Sequence, residues 1–327
     1  MQTIERIVTV RSVSSSPKAA VSWLLRPAVD ATTRGRAVAL AGLRILVGTL
    51  WLYNVVWKRP PDFGKAADRG LYRSTMDAVD HPVFPPYSWL VEHLVLPHFT
   101  LFGYGVLAVE TALAVLLLTG TLVRLAALLG VAQSLAIGLS VAQTPGEWPW
   151  SYWMLIGIHV VLLLTAAGSV AAVDAVRGAS VAGRGADTAR RLVGGWGAVL
   201  ALTALWALAL SAGKDLLASR GATLGGPGLS VSLGSYNLLG ALVLAAVAVL
   251  MLLAAVMRRR ELALAAAAVA ALAAVTLYVQ LTRTDVWLGG SNTSAALFLC
   301  AAVVSSLTAG RLGASRHEPS SSDAQHA

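Results

Sequence analysis

Eight times along this chain, about twenty mostly apolar residues follow one another, near 37–57, 99–119, 122–143, 150–172, 193–212, 236–257, 261–281 and 292–310. A bilayer's hydrocarbon core is about 30 Å thick and each helical residue advances about 1.5 Å, so every run is long enough to cross it. Backbone groups in lipid must be paired within the segment, and the alternation of a lipid-facing barrel strand is absent, which leaves helices as the spanning element. The predicted fold is all-α, a polytopic membrane protein of about eight transmembrane helices. Charged residues make up only 13% of the chain, against roughly 25% in soluble domains. With a mean hydropathy of +0.70, the chain lacks the polar side chains that a water-soluble surface requires.

The cations set the expected orientation. With both termini in the cytoplasm, sixteen Lys and Arg residues fall in inside segments, among them Arg124, Arg177, Arg184, Arg190, Arg191, Arg258, Arg259 and Arg260, against eight outside. This is the bias of a protein whose positive loops stay inside. The net charge of +9 then reflects topology and contact with anionic membrane lipids, not nucleic acid. The expected location is the plasma membrane. A single cysteine, Cys300, excludes an internal disulfide and with it cysteine-rich metal or iron–sulfur centres.

The stretch 174–192, rich in Gly, Ala and Arg, reads as a cytoplasmic linker. The expected organisation is a cytoplasmic N-terminal tail (1–36), a four-helix transmembrane domain (37–173) with a long outer loop (58–98), the linker, a second four-helix domain (193–310) and a disordered cytoplasmic tail (311–327). The first 36 residues are polar and basic and show no cleavable signal pattern. Weak echoes between the halves, such as Trp51 to Lys58 against Trp206 to Lys214, leave open whether they form a parallel repeat.

Arg44, Glu110, Gln133 and His159 lie inside the expected spans of the first half, whereas the spans of the second half carry no ionisable residue at comparable depth. An intramembrane charge costs about 2.5–3.5 kcal/mol on insertion scales, so it persists where a partner or a function offsets that cost. Counted from the cytoplasmic side, Arg44 and Glu110 differ in depth by about 3 Å, which predicts an ion pair between neighbouring antiparallel helices. Arg44, Gly48, Trp51, Val55 and Lys58 share one helix face, and Trp148, Tyr152, Leu155 and His159 share another. If these faces meet, they enclose an aromatic pocket with titratable groups at its base, suited to a flat hydrophobic molecule such as a quinone. An aromatic belt at the membrane surface, a structural ion pair and a hydrogen-bonded histidine are the plainer readings of the same residues.

The outer loop is too long for a simple connection and is expected to form a lid, with short helices over Lys65–Val79 and Tyr87–Leu96. Its Asp80, His81, Glu92, His93 and His98 match no standard metal spacing, so no metal is expected. Only one histidine, His159, lies in a span, so no haem is expected either.

The segment Leu43-Arg44-Ile45-Leu46-Val47-Gly48 running to Trp57-Lys58, then Gly105 to Glu110, Leu118-Thr119-Gly120 and Arg124, resembles the DoxX/DoxD group of four-helix membrane proteins. That group includes the membrane subunit of thiosulfate:quinone oxidoreductase, and the likeness covers the first half of the chain. It implies electron transfer from a reduced sulfur compound to quinone, and it places Arg44, Lys58 and Glu110 at a shared site. The second four spans, the longer outer loop and the lack of a cofactor motif depart from the pattern.

The leading expectation is a quinone-facing component of a membrane oxidoreductase, with a possible soluble or membrane redox partner subunit. Arg44 and Lys58 would hold an anion such as thiosulfate or a partly reduced quinone, Glu110 or His159 would relay protons, and Trp51, Tyr152 and Trp148 would line the ring pocket. Replacing Arg44 is expected to abolish turnover without unfolding the protein. The alternatives are a non-catalytic scaffold or accessory subunit and, more weakly, a small-molecule transporter.

Overall fold

The structure, a computed structural model, describes residues 16–179, 184–218, 222–225, 232–282 and 286–313. All but the first residues of the expected C-terminal tail lie outside these, as do Arg6, Arg11, Arg220, Arg283 and Arg316. Among the described residues, seven helices are long and apolar enough to cross a membrane, compatible with a multi-pass membrane protein. They include α2 (Arg34–Val56), then α5 (Phe99–Thr119), which continues a helical path begun at Pro85, and α6 (Val123–Val141). Four more follow: α9 (Gly185–Ser211), α10 (Leu238–Met257), α11 (Arg260–Gln280) and α12 (Asn292–Leu312). Shorter helices are α1 (Pro17–Leu25), α3 (Gly70–Asp80), α4 (Pro85–Leu90), α7 (Pro149–Leu164) and α8 (Val173–Ala179). The outer faces stay apolar: Leu101, Leu202, Leu272, Val279 and Val256 are all at least two-thirds exposed, as lipid-facing side chains are.

The fourth expected span is the main departure. Its helix α7 ends at Leu164 after 16 residues, about 24 Å at the helical rise, and residues 165–172 continue as irregular, partly buried backbone. Non-helical backbone at such depth is tolerated only where protein groups satisfy its carbonyls. Arg44 does this: its guanidinium donates to the carbonyls of Ala167, Val170 and Ala171 at 3.0, 3.1 and 2.8 Å, and to those of Leu117 and Leu118 at the end of α5.

The second span is longer than expected. Pro85–Thr119 forms one 35-residue helical path because Pro85 and Pro86 sit at its first positions, where no N–H is needed. The missing donor of Pro97 is absorbed by a π turn over Val91–Val95 and a 3₁₀ turn over Leu96–His98.

The described parts of the expected linker and of the expected N-terminal tail are structured. Helix α8 occupies 173–179 and α9 begins at Gly185. Asp174, fully buried, accepts from the backbone N–H groups of Leu122 and Val123, capping α6, and pairs with Arg177. The segment 17–30 folds back onto this end: the Ala28 carbonyl accepts from Gly168 N–H, and Asp30 pairs with Arg124 at 3.0 Å.

The chain is also not wholly helical. Strands β1 (Ala222–Gly225) and β2 (Ser232–Tyr236) pair antiparallel between α9 and α10, and Tyr236 is buried in the second-half core. In that half, Ala263, Ala266, Ala270 and Ala274 form a buried stripe on α11, the small-residue surface that lets membrane helices approach closely. The halves share a core, since Ala296 and Cys300 of α12 pack with Val47, Trp51 and Leu113 of the first half.

Candidate functional site

Helix α2 carries the predicted face. Arg44, Gly48, Trp51, Val55 and, just beyond its end, Lys58 are all buried, in accord with the 4-3-4-3 spacing. The partners differ from the expectation. Glu110 on α5 pairs with Lys58, Nζ to Oε2 at 2.8 Å, both residues being 1% exposed. Arg44 is engaged by the backbone carbonyls described above. The expected equal depth does not hold: Arg44 meets α5 at Leu117 and Leu118, seven residues and so about 10 Å along the helix from Glu110, which lies level with Lys58 instead.

Lys58 reaches inward because the chain leaves α2 at Val56 and turns; its ammonium lies over the Trp57 ring, 3.4 Å from the centroid. Asn292, at the start of α12, donates to the carbonyls of Val55 and Lys58 and so fixes this turn from the second half of the chain. Gln133 of α6 donates to Glu110 Oε1 at 3.4 Å. Glu110 Oε2 has no partner beyond Lys58. An ammonium has three donors, of which one meets Glu110.

The pair borders a cavity of about 260 Å³ whose aromatic walls are Trp57, Tyr87, Phe102 and Tyr152. Gln133 and Ser140 add polar groups. Tyr87 donates to Ala136 O at 3.2 Å and bonds Ser140 Oγ at 2.9 Å, and Tyr152 donates to Glu147. Helix α3 covers the cavity through Leu71, Ser74 and Thr75, so the segment between α2 and α5 forms a lid over it. The lid is anchored by Phe63, whose ring lies against Gly103 and meets Tyr104 edge-on with centroids 5.1 Å apart. On its outer side Arg73 bridges Asp77 and Asp80 at 2.9 and 2.8 Å, and the charge of Asp77 chiefly raises the arginine's pKa.

Of the seven residues singled out in the sequence, Lys58, Glu110 and Tyr152 meet at this cavity. His159 does not border it. Its Nε2 accepts from Trp51 Nε1 at 3.0 Å and its Nδ1 pairs with the Leu155 carbonyl at 2.8 Å, so both ring nitrogens are occupied. Trp51 is buried in this contact, and Trp148 is 65% exposed beside Trp150. Trp57, Tyr87 and Phe102 were missed as walls: the first reads as part of an interfacial belt, Tyr87 falls in the expected loop 58–98, and Phe102 is one of many apolar residues in the span 99–119, which matches α5. Among the described residues no three His, Cys, Asp or Glu side chains gather as a metal site.

No family model, curated protein or solved structure matches this chain.

Proposed function

We propose that the protein is a DoxX-like, multi-pass component of a plasma-membrane oxidoreductase, and that the cavity beside Lys58 and Glu110 takes the head of a quinone. The observation that carries this reading is the buried, incompletely satisfied ion pair on an aromatic-walled cavity. Two charges held at this depth cost several kcal/mol, and the donors that Lys58 leaves over suit the carbonyl oxygen of a quinone. Trp57, Tyr87 and Tyr152 line the cavity, and aromatic walls suit a flat headgroup. Glu110 accepts from Lys58 on one oxygen and from Gln133 on the other, and it is the group on the cavity that exchanges a proton with the bound head.

The resemblance implied a shared site of Arg44, Lys58 and Glu110. In this reading Lys58 and Glu110 keep that role, while Arg44 holds the irregular backbone after α7. The surplus of Lys and Arg at the α8 end supports a cytoplasmic location for that end, which turns the cavity and its lid outward, toward a reduced-sulfur anion such as thiosulfate.

The test is thiosulfate-dependent quinone reduction by the purified, detergent-solubilised protein, followed by quinone absorbance, with Glu110→Gln beside it. Turnover in the wild type, reduced at least a hundredfold in the variant, is the expected result. A folded wild type that neither binds nor reduces quinone overturns the proposal and favours a scaffold in which Lys58–Glu110 is purely structural. The near-complete burial of the pair is the observation on that side.

A further inference from the structure

A second cavity is larger than the one at Lys58. A crevice of about 760 Å³ runs between the halves, walled by Ile45 and Leu52 of α2, Leu118 of α5, Trp196 and Val199 of α9 and Leu297 of α12. Its lining is mostly apolar, and Ile45 and Val199 at its rim are 39% and 49% exposed, so it opens sideways to whatever surrounds the bundle. At the α8 end it continues into a second, polar cavity of about 290 Å³, the two sharing Ser169, Ala175, Thr188 and Arg191. The polar cavity adds Arg184 and Asp187.

The charges there are unbalanced. Asp187 is the one carboxylate among the residues lining the polar cavity, and it is taken by Arg258 at 3.0 Å. Arg184 and Arg191 have no carboxylate partner among the described residues. An apolar trough that ends in two unpaired guanidinium groups has the shape and charge of one ligand class, an amphiphile with a hydrocarbon chain and an anionic head. The size lies within the range of small-molecule sites. A surface cation at the bundle's arginine-rich end is also where anionic lipid headgroups lie in a membrane oriented by the positive-inside rule.

We infer that this crevice is a site for one anionic phospholipid, its acyl chain lying along Leu52, Leu118 and Trp196 and its phosphate held by Arg191 and Arg184. The site lies between the halves, apart from the lidded cavity, and does not depend on the quinone reading. Gly195 is a built-in probe. It lines the trough, and a Cβ placed there meets nothing within 4 Å, so a larger side chain can start from this wall without a clash at its first atom.

The experiment purifies the full chain in mild detergent and measures, by native mass spectrometry, retention of phosphatidylglycerol and of phosphatidylcholine with identical chains. The expected result is one phosphatidylglycerol retained in preference to phosphatidylcholine. Retention falls roughly tenfold in R191A and is lost for both lipids in G195F, with circular dichroism and elution volume unchanged in R191A. Equal retention of the two lipids by the wild type, or phosphatidylglycerol retention unchanged in folded R191A, overturns the assignment.

Discussion

Trp51 Nε1 donates to His159 Nε2 across 3.0 Å, which fixes the histidine as a neutral ring whose other nitrogen donates to the Leu155 carbonyl. The contact joins α2 to α7 in the middle of the bundle. His159 is fully buried there and packs so tightly on α6 that a Cβ at Gly130 would lie 2.0 Å from its Cδ2 and 2.2 Å from its Nε2. The histidine is thereby a structural clasp between three helices, and the proton chemistry falls to Glu110.

Gly130→Ala should therefore expel the His159 ring and break its bond to Trp51, leaving buried polar atoms unpaired at a cost of about 1–3 kcal/mol. Gly157→Ala is the control, because a Cβ there meets nothing. Thermal melting in detergent should show a lowered Tm for the first and an unchanged or slightly raised Tm for the second.

Arg44→Met should prevent accumulation of folded protein, because it strips the carbonyls of Leu118, Ala167, Val170 and Ala171 of their donor together. Arg44→Lys should rescue little, since an ammonium cannot reproduce the planar fork of donors. Size-exclusion chromatography of membrane extracts checks both. A folded, monodisperse Arg44→Met protein lacking only turnover would instead restore the catalytic role read from the sequence.

Phe63→Ala should loosen the lid, removing a ring that is 2% exposed and seated on Gly103. The expected loss of about 3–5 kcal/mol is local, so hydrogen exchange should speed up in α3 while the amides of α10 and α11 keep their protection.

Asn292→Ala should weaken the site from a distance, since its amide holds the carbonyls of Val55 and Lys58 at the turn that aims Lys58. Quinone affinity should fall about tenfold, consistent with the loss of one or two buried hydrogen bonds. Titration of the purified variant measures it.

The apolar runs made most spans legible, and helical spacing made the buried face of α2 legible down to Lys58. Three things were not. Pro85, Pro86 and Pro97 read as breaks, although the first two start a helix and a π turn absorbs the third. Residues 17–30 look like a polar tail, and only tertiary pairing such as Asp30 with Arg124 shows that they fold. The partner of Glu110 depended on the break after Leu164, whose bare carbonyls claim Arg44, and apolar composition does not mark where an apolar helix stops.

The two halves share one close helix contact in a different register from the Trp51–Lys58 echo. Gly48 on α2 and Gly197 on α9 make the same close approach, each to the Cγ and backbone N of a leucine on the following long helix, Leu118 and Leu252. Counting from these glycines, Trp57 corresponds to Trp206 and Lys58 to Ala207. The second half thus has the crossing and lacks the charge, which leaves the ion-pair site to the first half alone.

The most direct test replaces both members of the pair. Lys58→Met or Glu110→Gln alone should each cost about 3–5 kcal/mol by leaving a buried charge, whereas Lys58→Met with Glu110→Leu should recover the wild-type Tm or exceed it. The decisive measurement is the Kd for a short-chain quinone in that folded double variant and in the wild type. Binding by the wild type and its loss in the double variant is the predicted result; equal affinity in the two would contradict the placement of the quinone at Lys58 and Glu110.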